Sequence, residues 1–169
     1  RKVGGTVVVV EHLVARTSSG AEMEVLLFEF KDGLNAYLAS GPSGQKSLSM
    51  VIDWNRANAA RVMPFFGQDL FELAQAKGPL TEPAYLTARD TARRLAGQEG
   101  LLALLARERL DAVISPSTGP AWKSDYPRGD RGRVGGYGVT AVAGTPSITI
   151  PIGNSRGLPF GLTFMGAPF

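Results

Sequence analysis

The sequence predicts an α/β structure, and three observations lead to it. A β-branched run, Thr6 to Val10, follows the glycine pair Gly4-Gly5. Apolar residues then recur at helical spacing through the middle of the chain. Near the end, a small-residue stretch leads into two strand-like segments joined at Gly157. Strands at both ends with helices between them make a layered sheet structure, in which each element buries one side against another.

The elements follow in order. Thr6 to Val10 reads as a strand buried on both faces of a parallel sheet, because a continuous apolar run leaves no polar face for water. Met23, Leu26, Leu27, Phe30, Leu34, Tyr37 and Leu38 then gather onto one helical stripe. Ser19 and Glu22 stand at capping-box spacing before it, and Gly33 costs that helix about 1 kcal/mol relative to alanine. A second helix is predicted from Ser47, burying Leu48, Val51, Ile52, Val62 and Met63 and stopping at Pro64, which lacks a donor and clashes with the preceding turn. A shorter helix carries Leu70, Phe71 and Ala74 and ends at Gly78-Pro79.

From Thr81, an N-cap residue with Pro83 in the first turn, a long helical pattern runs through Leu86, Leu95, Leu102 and Leu105 toward Arg109. Gly97 and Gly100 are the places where it divides. A strand at Ala112 to Ser115 delivers the chain to a loop from Ser117 to Gly136. That loop exceeds the usual connection of about 4–6 residues, which favours a functional role.

Composition narrows the function. The 169 residues suffice for one domain with a core, and the formal net charge of +3 comes from scattered cations. The densest cluster, Arg128, Arg131 and Arg133, is interrupted by Asp130 and preceded by Asp125, so it reads as a solvated loop and no nucleic-acid partner is predicted. With no cysteine there are no disulfides and no thiolate metal sites, which fits a cytoplasmic location and also permits export. Val7 to Val10 is too short to span a bilayer, and no membrane partner is predicted.

Four groupings invite chemistry and are better explained without it. Ser18-Ser19-Gly20 supplies a helix cap. His12, the single histidine, cannot build a multi-histidine metal site, and no metal is predicted. Asp125 and Asp130 have arginines nearby for ordinary ion pairs. Gly135-Gly136-Tyr137-Gly138 lacks the lysine and hydroxyl residue of a phosphate loop and reads as a turn into the small-residue segment Val139 to Ala143.

The stronger candidates sit just past the last mid-chain strand, where α/β sheets place ligands. Ser115, Ser117 and Thr118 either hold a ligand there or cap strand and loop backbone groups. Trp122, Asp125 and Tyr126 follow on the same loop; the two rings either wall a substrate or anchor the loop to the core.

Two phrases carry a family resemblance: AGTPSITIPIG at residues 143–153 and GLPFGLTFMG at residues 157–166. With the strand Leu110 to Pro116, with Phe28-Glu29-Phe30-Lys31 ahead of Leu34 to Leu38, and with the stretch Asn55 to Leu73, the chain resembles the C-terminal part of the amidase signature family. The resemblance implies a partial layered α/β/α structure with a mixed sheet. It implies hydrolysis of carboxamide C–N bonds by a serine, a second serine on a cis peptide, and a lysine. The long loop past that strand is the candidate for substrate contact, with Thr118, Gly119, Trp122, Asp125 and Tyr126 as the expected substrate-binding residues, and no cofactor is expected.

None of the serine–serine–lysine positions maps onto this sequence, so no residue here is assigned as catalytic. The chain is therefore expected to be a single C-terminal segment, residues 1–169, cut at both ends and inactive alone. Its expected partners are a small-molecule amide, an N-terminal amidase portion, and further copies of itself through uncovered strand edges. A non-catalytic binding module on an amidase scaffold, or a complementing subunit, is the alternative.

Overall fold

A computed structural model describes residues 4–10, 19–127, 129 and 135–169, the side chain of Ser19 excepted. The readings placed on His12, on Ser18 and the Ser19 side chain, and on Arg128, Asp130, Arg131 and Arg133 lie outside the described residues. The chain forms two compact units, one of residues 1–16, 93–123 and 131–169, the other of residues 17–92 and 124–130.

The second unit is helical. Its first helix, α1 (Ser19–Ser40), turns only part of the predicted stripe inward and adds Phe28 to it. Phe28 is buried, and Leu27 and Leu34 pack on a core of Leu48, Ile52 and Ala74, whereas Met23, Leu26, Phe30 and Tyr37 are exposed. The reason lies in polar residues that share the inner face. Lys31 Nζ donates to the carbonyls of Gln75, at 3.0 Å, and Lys77, while Glu24 pairs with Lys77 at 2.6 Å. Asn35 Oδ1 accepts the Leu48 N–H at 2.8 Å. Lysine beneath the carbonyls that close a helix offsets their negative charge.

Helix α2 (Leu48–Ala57) begins where predicted, with Ser47 Oγ accepting the Met50 N–H at 3.3 Å. The predicted single helix breaks at Asn58, and α3 (Ala59–Val62) is a separate turn. Asn58 Nδ2 donates to the Trp54 carbonyl at 2.8 Å, the competition with backbone that makes asparagine a poor interior residue. Val62 is exposed as a result. Helix α4 (Asp69–Gln75) ends before Gly78, and α5 (Pro83–Arg93) starts at its proline. Buried Tyr85 on α5 lies 5.6 Å from the Phe28 ring and donates to Glu29 at 2.7 Å.

In the first unit, residues Arg94–Leu101 form widened π-type turns interrupted at Gly100 (φ −98°, ψ −105°) before α6 (Leu102–Glu108). Gly97 stays helical, and a Cβ there would lie 3.5 Å from that of Ala143. The small-residue segment Val139 to Ala143 belongs to a helix, α7 (Tyr137–Ala143), which takes in Tyr137 and Gly138 of the expected turn and is closed by left-handed Gly144 (φ 70°). Small residues allow close helix packing there, within a helix that the glycines had masked.

Strands β1 (Val113–Pro116), β2 (Ser147–Ser155) and β3 (Leu158–Met165) form a sheet in the order β1-β3-β2, with both pairs antiparallel. The Gly-linked strand pair is a hairpin, closed by Arg156 and Gly157 at φ 52° and 81°, as a two-residue turn of matching twist requires. Val113 and Met165 pair across β1 and β3 and pack on Leu101, Leu104 and Leu105. Residues 6–10, expected to be a strand buried on both faces, have no sheet partner among the described residues, and Val9 is 88% exposed. β-branching favours a strand, but burial on both faces comes only with neighbours on each side.

Candidate functional site

The exit of β1 is where the sheet gathers hydroxyl groups. Antiparallel register aligns Ser115 of β1 and Thr149 of β2 with Thr163 of β3, so their side chains share the sheet face of Val113 and Met165. Ser117 extends the ladder past β1, its N–H donating to the Gly161 carbonyl at 2.9 Å. Its hydroxyl lies 2.7 Å from Thr163 Oγ1 and 3.4 Å from Thr149 Oγ1, and the two threonine oxygens are 2.8 Å apart. Thr163 is 1% exposed. Glycine at 161 leaves room for this group, since a Cβ there would stand 2.6 Å from Thr149 Cγ2 and 3.0 Å from Ser117 Oγ.

The returning end of the long loop meets the same place. Gly136 N–H donates to Ser115 Oγ at 3.1 Å, and Gly135 sits so close to the Ser117 carbonyl that a side chain would collide with it. Both ends of the loop are therefore fastened at the exit of β1.

Of the predicted substrate residues, Thr118 is exposed and Gly119 half-buried, directly after the Ser117 anchor, and Trp122 is exposed within the same unit. Asp125 and Tyr126 belong to the other unit. There Tyr126 stacks on Phe65, with centroids 4.5 Å apart and planes 2° from parallel, and Phe66 lies 6.1 Å away. All three rings are largely exposed. The loop is thus divided between the units, and its five candidates are not gathered in either one.

Sequence reasoning singled out Ser115, Ser117 and Thr118 and did not connect Thr149 and Thr163 with them. Strand pairing alone brings those two to Ser117, and the available signal was the alternation in 147–150 and 161–165, which places both threonines opposite the isoleucines and Phe164. Elsewhere, a 280 Å³ depression in the helical unit is lined by Ile52, Asp53, Arg56, Glu72 and Gln75. Its charges satisfy one another, Arg56 meeting Glu72 at 2.8 Å and Asp53 at 3.4 Å. The Arg89 guanidinium is held above its ordinary pKa by its hydrogen bond to Asp90 and by that carboxylate's charge, so it stays cationic. Among the described residues no cluster of His, Cys, Asp or Glu could hold a metal, and no helix is long and apolar enough to cross a membrane.

No protein-family model matches the chain, and no curated protein matches it. Solved structures do. A peptide amidase held with the competitive inhibitor chymostatin matches 89% of the chain at 44% identity and TM-score 0.81. The native peptide amidase from Stenotrophomonas maltophilia matches the same share at 43% identity and TM-score 0.78. A bacterial aryl acylamidase of the amidase signature enzymes matches 89% at TM-score 0.54 and 16% identity, a likeness of fold alone. The chain spans 30 to 31% of the length of these proteins.

Proposed function

We propose that this chain, as the C-terminal portion of an amidase signature fold, supplies sheet and substrate-binding surface to an enzyme that hydrolyses carboxamide C–N bonds. The observation that carries this reading is the 44% identity to a peptide amidase across 89% of the chain. A peptide amide is accordingly the proposed substrate. Thr118, Gly119, Trp122, Asp125 and Tyr126 are the residues proposed to touch it. The loop that bears them leaves β1 and is longer than an ordinary connection, and its rings offer an apolar wall with polar edges.

Amide hydrolysis needs a nucleophile, a base for its proton and donors for the developing oxyanion. Because the serine–serine–lysine set of the family has no counterpart in these residues, we assign it to an N-terminal amidase portion working with this one, in the cytoplasm. The chain alone is then a binding surface without turnover.

The test replaces the matching segment of the Stenotrophomonas maltophilia peptide amidase with this chain and measures release of ammonia from a peptide amide. Turnover by the hybrid, with none from the chain alone, is the expected result. A folded but inactive hybrid, or turnover by the chain alone, would overturn the reading.

A complementing subunit is a second reading, favoured by the exposed apolar side chains of Ile114, Ile148 and Ile150 on one sheet face. It predicts activity on mixing this chain with a separately made N-terminal portion, and self-association of the chain before mixing.

A further inference from the structure

We propose that Ser117, Thr149 and Thr163 are positioning residues that fasten the start of the loop leaving β1, so that Thr118 and Gly119 are held ready for an amide substrate. The proposal rests on the substrate role given to those two residues above.

Three hydroxyls, on two paired strands and the residue just past a third, converge at Thr163 Oγ1, with neighbours at 2.7 and 2.8 Å. A hydroxyl carries one proton and two acceptor sites, so Thr163 can donate to one neighbour and accept from the other. At 1% exposure it has little water to replace either. Such a buried polar set tolerates little displacement, because an unpaired member costs more than the pair contributes. Ser117 is consequently held twice, by its side chain in this group and by its N–H on the Gly161 carbonyl at 2.9 Å. The next residue along the chain is Thr118.

The surroundings fit that purpose. Two valines in place of the threonines would suit a sheet face packed for stability alone. Instead the sequence keeps hydroxyls there and clears space with Gly161. The returning end of the loop is held two residues away, where Gly136 N–H donates to Ser115 Oγ.

The deciding variants are Thr163→Val, which keeps the shape and removes the hydroxyl, and Thr163→Ser, which keeps the hydroxyl. Ser117→Ala accompanies them, since a variant at a buried position can fail to fold. Hydrogen exchange at the Ser117 amide is measured in the chain itself. KM and kcat are measured in the peptide amidase hybrid carrying the segment. Losing one net hydrogen bond should speed exchange at Ser117 and raise KM about tenfold, with kcat within about twofold, in Thr163→Val and Ser117→Ala. Thr163→Ser should restore both.

Unchanged exchange in both hydroxyl-deleting variants overturns the fastening. Faster exchange with unchanged KM overturns its role in substrate binding. An inactive unmutated hybrid refutes the amidase reading instead, and the exchange result still decides whether Ser117 is fastened.

Discussion

On one face of the sheet Val113 and Met165 are sealed against Leu101, Leu104 and Leu105, while on the other Ile114, Ile148 and Ile150 stand exposed. The strands are the same and the side chains similarly apolar. Met165 is 0% exposed and Ile148 is 64% exposed, although they stand in adjacent β2–β3 register pairs, Ser147 with Met165 and Ile148 with Phe164. What separates them is α6, which follows the interruption at Gly100 and covers one face only. Burial is thus conferred by the neighbour rather than by the strand.

The sharpest test of this contrast is on the sealed face. Met165→Ala should lower unfolding free energy by about 3 kcal/mol, from lost transfer energy and the cavity left behind, measured by urea denaturation followed by circular dichroism. A loss below about 1 kcal/mol would mean that this face is not the packed one.

The same face carries the hydroxyl group, which tests its tightness differently. Gly161→Ala adds one methyl where Thr149 Cγ2 would be 2.6 Å away, and overpacking of that kind costs about 1–3 kcal/mol. A neutral Gly161→Ala would show that the hydroxyls yield easily. On the open face, Ile148→Ala in the isolated chain should change stability by no more than about 0.5 kcal/mol. Its visible effect should be on association. Sedimentation at rising concentration should show weaker self-association for Ile148→Lys with Ile150→Lys than for the unaltered chain, and equal behaviour would remove this face as the contact.

Much of the architecture was legible wherever a residue's local chemistry decides the backbone. Ser47, Pro83 and Gly157 marked two helix starts and a turn because capping, a fixed φ and a positive φ are properties of single positions. The helical stripe of α1 was only partly right, with Leu27 and Leu34 inward and Met23, Leu26, Phe30 and Tyr37 exposed, because Lys31, Glu24 and Asn35 take inward positions from partners 13 to 53 residues away, which periodicity does not record. Val7 to Val10 carried a strand's composition without a strand's neighbours. At the candidate site, the exit of β1 was singled out from its position and from the family resemblance. Thr149 and Thr163 were not, since their meeting with Ser117 depends on register between segments far apart in sequence.

The turn at Arg156-Gly157 has a consequence for the order of folding. It closes the β2–β3 pairing across two residues, so that hairpin can form on a timescale of about 1–10 μs without help from distant sequence. Pairing of Val113 with Met165 must instead close a span of roughly 50 residues, which carries a larger entropic cost. The middle strand β3 is thereby set on β2 before β1 arrives. Substitutions at Gly157 should slow folding, whereas substitutions at Val113 should chiefly hasten unfolding.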